Sequence, residues 1–389
     1  MIERLWNFFA GTPVEAAQGG ERVPRERPRL AALLAGISLL SCLAMPPAFA
    51  KARSRESDKN TRQEFTRRYE AIGPGHPFIL VDNDIASSSP SQLFRAVRNR
   101  FNDLLPVESQ ASITLRLIET AREPDGPFAN SLEFKSRTPD EMEMISYAAD
   151  VPDVMDFESW LYYVGEIIGR SVRKEAMIDD DAMFRQALYH EIFGHCTEHT
   201  CPEIGRLEAG DNEDYSDSMC ELRADIATLV GMARDTGSPH TGEAIAHMRA
   251  ATVFNYDSSK IYDNALALDA VNARLANLVS LPSFRRMDDA ATVGMINALF
   301  MSVRPDENAH AQNRIAFDTA VLMGSNNPKE RAEARRLMAE DPEMGCKALL
   351  ILRRARRAED FLFMPTEKEG APVPAASRTA VLSLPALHP

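Results

Sequence analysis

The sequence lacks any surplus of positive charge. Its 44 Lys and Arg face 57 Asp and Glu, for a formal net charge of −13 and an isoelectric point near 5.2. That balance argues against a nucleic-acid partner and against an anionic membrane surface. A long apolar run is missing too. "LAALLAGISLLSCLAM" at 30–45 has sixteen residues, short of the roughly 20 a helix needs to cross a bilayer. No internal repeat is visible, and no low-complexity tract dominates. Cysteine is scarce, with five in 389 residues. Four of them, Cys196, Cys201, Cys220 and Cys346, lie beyond residue 50. In an exported chain a Cys196–Cys201 or Cys201–Cys220 bridge is open, and the sequence does not choose between them.

What remains is a globular composition, 44% hydrophobic and 26% charged. The length suits one large domain or two ordinary ones. Arg22, Arg25, Arg27 and Arg29 precede the apolar run, and Ala48-Phe49-Ala50 follows it as a small-x-small site. Residues 1–50 therefore read as a secretory signal cleaved before Lys51, with an uncleaved anchor or a lipoprotein acylated at Cys42 as alternatives. The expected location is exported, periplasmic or secreted, with membrane contact only through this segment.

Residues 51–70 are dense in charge and read as a polar linker running into a solvated helix. "ASITLRLIETA" (111–121), "NSLEFKSRT" (130–138) and "EMEMISYAA" (141–149) each alternate apolar and polar residues, the period of a strand. Three strands in a mixed or antiparallel sheet over about 111–148 are expected. "DFESWLYYVGEIIGRSVRKEA" (156–176) has helical spacing. Zinc-site helices follow over about 182–235, the first starting near Ala182 after an Asp180 or Asp181 cap, the second near Ser216 or Ser218. Further helices fill 240–362, with breaks near Pro282, Pro305, Pro328 and Pro342. The segment 71–365 forms the domain, and 366–389 reads as a disordered tail.

The chemistry is concentrated in "LYHEIFGHCTEH" (188–199), which holds three of the eight histidines. A hydrolytic zinc site needs three protein ligands and one open position. The zinc-peptidase motif H-E-x-x-H supplies two histidines one turn apart and a glutamate as general base. Here His190 and His195 are five apart, or about 140° on a regular helix. They share a metal only if the helix carries an extra residue. A π-bulge at Ile192–Gly194 would absorb it, with Gly194 tolerating the distortion. The rival pair is His195 and His199 with Glu198 between them, an H-x-x-E-H motif whose spacing suits a regular helix. Spacing alone favours the rival. "CELRAD" (220–225) adds Glu221 and Asp225, four apart and so on one helix face. "GDNEDYSD" (210–217) lacks the order of a calcium loop and reads as a solvated acidic stretch.

"HEIFGH" and "CELRAD" together resemble the two motifs of the dipeptidyl peptidase III family, H-E-x-x-G-H and E-E-C-R-A-E/D. Cys220 and Leu222 stand where that family has Glu and Cys. The resemblance implies an α+β, zincin-like fold of the glutamate-ligand type, with a small N-terminal sheet ahead of a mostly helical body. It implies one Zn2+ on His190, His195 and Glu221, Glu191 as the base that activates water, and Asp225 supporting a ligand histidine from behind. An oxyanion donor is still needed. His247 and Tyr256 are the first candidates, then Tyr262, His240 and Tyr215. The implied activity is zinc-dependent hydrolysis of a peptide or protein substrate. The alternatives are an effector or envelope factor with a structural or vestigial zinc site, and a hydrolase of a non-peptide amide.

Overall fold

A computed structural model describes residues 55–72, 78–81, 90–101, 105–122, 129–135, 142–149, 165, 169–173, 180–208, 212–251 and 264–365. The leader 1–50, the tail 366–389, Tyr256 and Tyr262 lie outside the described residues. The chain divides into two compact units, Met1–Thr61 and Arg62–Pro389. Of the first, only the opening turns of α1 are described.

In chain order the elements are α1 (Arg55–Ile72), β1 (Phe78–Val81), α2 (Pro90–Phe101), α3 (Val107–Arg122), β2 (Ala129–Lys135) and β3 (Met142–Ala149). Then come α4 (Asp180–Leu188), a π-turn (Tyr189–Gly194), a 3-10 helix (His195–Thr200), α5 (Pro202–Glu208) and α6 (Glu213–Thr236). The remainder is helical: α7 (His240–Ala251), α8 (Ala265–Leu278), α9 (Pro282–Arg285), α10 (Asp289–Val303), α11 (Glu307–Gly324), α12 (Pro328–Glu340) and α13 (Pro342–Leu362). Among the described residues no helix is long and apolar enough to cross a membrane.

The body is mostly helical, as the sequence implies, and the sheet is small. Its order is β1-β3-β2, with β1 parallel and β2 antiparallel to the central β3. Two of the three expected strands are present. The third corrects the sequence reading: "ASITLRLIETA" belongs to helix α3. Five of its buried positions, Gln110, Ile113, Thr114, Leu117 and Ile118, are spaced i, i+3, i+4, i+7, i+8 along one helix face, with Ala111 buried beside them. Two of the five are polar, which hid the stripe and left the alternation of Ile113, Leu115 and Leu117 as the visible signal. Their donors are used locally: the Thr114 hydroxyl donates to the Gln110 carbonyl at 2.8 Å, and the Gln110 amide NH2 to the Leu105 carbonyl at 2.9 Å. The strand that completes the sheet is "FILV", four residues too short to show a period.

Two further expectations are corrected. From Arg62 onward α1 is not a solvated linker, because Phe65 and Tyr69 are buried in the main core. Of the helix expected over 156–176 only 165 and 169–173 lie within the described residues, and 169–173 are not helical: Gly169 has a φ of 68°, the left-handed conformation of a helix-ending glycine. The Arg170 N–H returns to the Gly165 carbonyl at 2.9 Å, and Val172 then bridges Phe363.

Helix α6 is central to the second unit. The Asn212 side chain caps it by accepting from the Tyr215 N–H, and Gly237 at φ 69° ends it. Residues 222–234 are buried on every side, so α6 packs simultaneously on the motif segment, α7, α8 and α10. The expected breaks in the C-terminal helices hold: Pro282, Pro328 and Pro342 sit at first helical positions, where a missing N–H costs nothing.

Candidate metal centre

Helix α4 runs without a break into the π-turn. The His195 N–H reaches back to the His190 carbonyl, five residues earlier, as well as to Glu191. An i→i+5 turn carries one more residue than an α-turn. It thereby places residues five apart on one face, and the His190 and His195 rings meet edge to face with centroids 5.1 Å apart. The 3-10 helix that follows has about three residues per turn. Positions four apart, such as His195 and His199, then diverge by about 120°. Among the described residues one trio of possible metal donors converges, His190, His195 and Glu221, and His199 is not in it.

The donor atoms of the trio lie within 4.8 Å of one another. His190 Nε2 is 3.4 Å from Glu221 Oε2, and His195 Nε2 is 3.6 Å from Glu221 Oε1. Both exceed the usual 2.7–3.2 Å of an N–H···O bond. They match the edge of a tetrahedron, about 3.4 Å, drawn around an ion with bonds of about 2.1 Å. The donor types are those of zinc.

Carboxylates stand behind both imidazoles. Asp225 Oδ1 is 3.4 Å from His190 Nδ1, and Glu198 Oε1 is 2.8 Å from His195 Nδ1. Each Nε2 is therefore the ring nitrogen turned to the trio. Asp225 is itself clamped by Arg249, whose Nε and Nη2 donate to its two oxygens at 2.9 and 2.8 Å. The same Nη2 lies 3.9 Å from Glu221. Burial works against the charged imidazoles, yet Asp225 and Glu221 hold His190 well above its usual range, and Glu198 and Glu221 raise His195 to about 9. Burial opposes the charge of Glu221 too, but His190, His195 and Arg249 hold its carboxyl below the usual range. Protons on the two rings would thus fill the cationic role that a divalent ion at the trio would otherwise fill. Glu191 is 8% exposed and is pushed up by burial, against the pull of His190 and His195.

The two motifs also hold each other in place. A Cβ on Gly194 would sit 2.6 Å from both Cα and Cβ of Ala224. The glycine of one motif and the alanine of the other are thus a single contact, which sets how closely α6 approaches the π-turn. Arg223, fully buried, donates to the carbonyls of Gly194 and Thr197, to the Thr197 hydroxyl and to Asn297. It satisfies backbone acceptors that the change from π to 3-10 winding removes from a regular ladder. From the other side, the Tyr69 hydroxyl donates to the Cys196 carbonyl at 2.9 Å. The Arg68 guanidinium lies 4.8–4.9 Å from the ring centroids of Phe65, Tyr189 and Phe193. Gly194→Ala is expected to destabilise the protein by about 1–3 kcal/mol through overpacking and to weaken zinc binding. Urea unfolding of the metal-free protein and a chelator competition test the two effects, and a fully neutral substitution would refute the close-contact account.

Of the candidate oxyanion donors, none of the described ones belongs to the trio. The His247 ring stacks on Phe361 at 4.0 Å and accepts from Arg354 at 2.8 Å. Burial and the Arg354 charge push it down to about 3, so it is a neutral packing residue at neutral pH. His240 is exposed near Glu243. The Tyr215 hydroxyl donates to the Pro305 carbonyl at 2.7 Å. Arg249, Glu198 and Arg223 are the site residues that sequence reasoning missed. Arg223 lies inside "CELRAD" and Glu198 inside the rival H-x-x-E-H spacing, whereas Arg249 reaches the site only through the packing of α7 on α6. Cys196, Cys201, Cys220 and Cys346 are in the thiol form, so neither of the two bridges considered is formed.

Comparison with known protein families, curated proteins and solved structures gives no match.

Proposed function

We propose that this chain is an exported zinc-dependent peptidase with a zincin-like site. The observation that carries the proposal is the convergence of His190 Nε2, His195 Nε2 and the Glu221 carboxylate within 4.8 Å, with Glu191 buried beside them and outside the trio. Three protein donors leave a coordination position open, as a hydrolytic site requires. A zinc ion held there supplies Lewis acidity, polarising the scissile carbonyl and acidifying the attacking water. The chain's own residues do the rest. Glu191, kept basic enough by burial, takes the water's proton and returns it to the leaving amine. Asp225 with Arg249 behind it, and Glu198, fix the two imidazoles. A purely structural site has no use for a buried carboxylate next to its first ligand, which favours catalysis over a structural role.

The strands support a peptide as substrate. β3 is paired on both sides, so β1 and β2 are the edges, and β2 packs next to the 3-10 helix that begins at His195. An extended peptide adding to β2 would run past the trio, held by main-chain hydrogen bonds. Purified protein is expected to carry one zinc per chain by elemental analysis. It should hydrolyse a mixed fluorogenic peptide set, lose that activity to a chelator and regain it with zinc. Protein that takes up no zinc from a zinc-replete buffer would refute the proposal.

A further inference from the structure

We propose that Glu198 is a positioning residue of the metal centre: it accepts the Nδ1 proton of His195, directs Nε2 of that ring at the metal, and strengthens zinc binding through its charge. The inference rests on the His190/His195/Glu221 centre proposed above and names a part of it that lies outside the zinc-ligand motifs.

Four observations converge. The contact is short, 2.8 Å from His195 Nδ1 to Glu198 Oε1, within the range of a charge-assisted bond. Its geometry is set by local winding. Residues three apart eclipse in a 3-10 helix, so the His195–Thr200 turn stacks Glu198 directly over His195 without help from another element. The pair is shielded, with side-chain exposures of 16% and 14%, which preserves more of its strength than a surface pair keeps. Finally, the two imidazoles are backed unequally. Asp225 is 3.4 Å from His190 and shares its charge with a bidentate Arg249. Glu198 meets His195 closely, with the buried Arg223 guanidinium as its nearby positive charge. His195 therefore has the closer carboxylate behind it, and the glutamate of the H-x-x-E-H spacing acts one layer behind the metal instead.

A carboxylate behind a ligand histidine fixes its tautomer and raises its basicity, and removing such a group lowers metal affinity by about 10–100-fold. The test uses the full chain, with Glu198→Ala and Glu198→Gln compared by chelator competition for zinc. Ring 15N shifts of His195 in the zinc-loaded protein report which nitrogen carries the proton. Glu198→Ala is expected to bind zinc about 10–100-fold more weakly. Glu198→Gln, which keeps an acceptor oxygen and loses the charge, should lie between it and wild type. Wild-type His195 should show a protonated Nδ1. Unchanged zinc affinity in Glu198→Ala, or a proton on Nε2 in the wild type, would overturn the proposal. If Glu198→Ala fails to fold, Glu198→Gln decides: a several-fold loss supports the charge role and wild-type affinity refutes it. If Glu221→Ala abolishes zinc binding while Glu198→Ala leaves it intact, the proposal falls and the metal centre stands. If wild type takes up no zinc, both fall.

Discussion

Glu191→Gln is expected to lower peptide hydrolysis by two to four orders of magnitude, about 3–5 kcal/mol of transition-state stabilisation, and to leave zinc in place. The substitution keeps the size of the side chain and removes only its ability to take a proton. Glu191 is outside the converging trio, so metal content should be unchanged. Glu221→Ala should fail differently, losing zinc and activity together, because it deletes the donor that faces both Nε2 atoms. The pair of variants separates base from ligand. Elemental analysis and single-turnover hydrolysis on the same preparations read both effects. Glu191→Gln protein with full activity would remove the proposed mechanism, and Glu221→Ala protein with full zinc occupancy would remove the ligand set.

The candidate site was legible in the sequence because its elements are local and strongly typed. His190 and His195 five residues apart forced a choice between no shared metal and a helix with an inserted residue, and the π-turn at Tyr189–Gly194 is that insertion. Two things were not legible. The first is the winding beyond it. Nothing in "HCTEH" announces a 3-10 helix, yet that winding separates His199 from His195 and brings Glu198 onto it. The second is the identity of the close contacts. Gly194 reads in the sequence as a residue chosen for backbone freedom, and its backbone does leave the helical region at φ −80°, ψ −90°, but the lack of a side chain also admits Ala224. In the fold, α3 was misread because Gln110 and Thr114 occupy its buried stripe, and β1 was missed because four residues carry no period. Both failures arise where tertiary packing, rather than local pattern, decides the outcome.

Arg223→Ala should be the most destabilising single change near the centre, at about 3–5 kcal/mol. The guanidinium is buried and donates to two backbone carbonyls, a hydroxyl and an amide oxygen at once. Removing it deprives the Gly194 carbonyl and the Asn297 amide oxygen of that donor, while the Thr197 carbonyl keeps the Thr200 hydroxyl at 2.6 Å. Each buried acceptor so stranded costs about 1–3 kcal/mol, and the vacated volume adds a cavity term. Burial itself disfavours the arginine's charge and lowers its pKa, so the residue is retained against a solvation cost and its bonds must outweigh it. Arg223→Lys should recover only part of the loss, since a single ammonium cannot reproduce the planar fork. Metal-free protein is the proper reference, because bound zinc would mask part of the change by mass action. Urea denaturation should show the midpoint falling with little change in slope, and zinc affinity should fall alongside it, since the same carbonyls define the turn that brings His190 and His195 together. Stability within about 1 kcal/mol of wild type, smaller than the cost of one stranded acceptor, would mean that the π-to-3-10 junction holds itself together, and that Arg223 accompanies the turn without enforcing it.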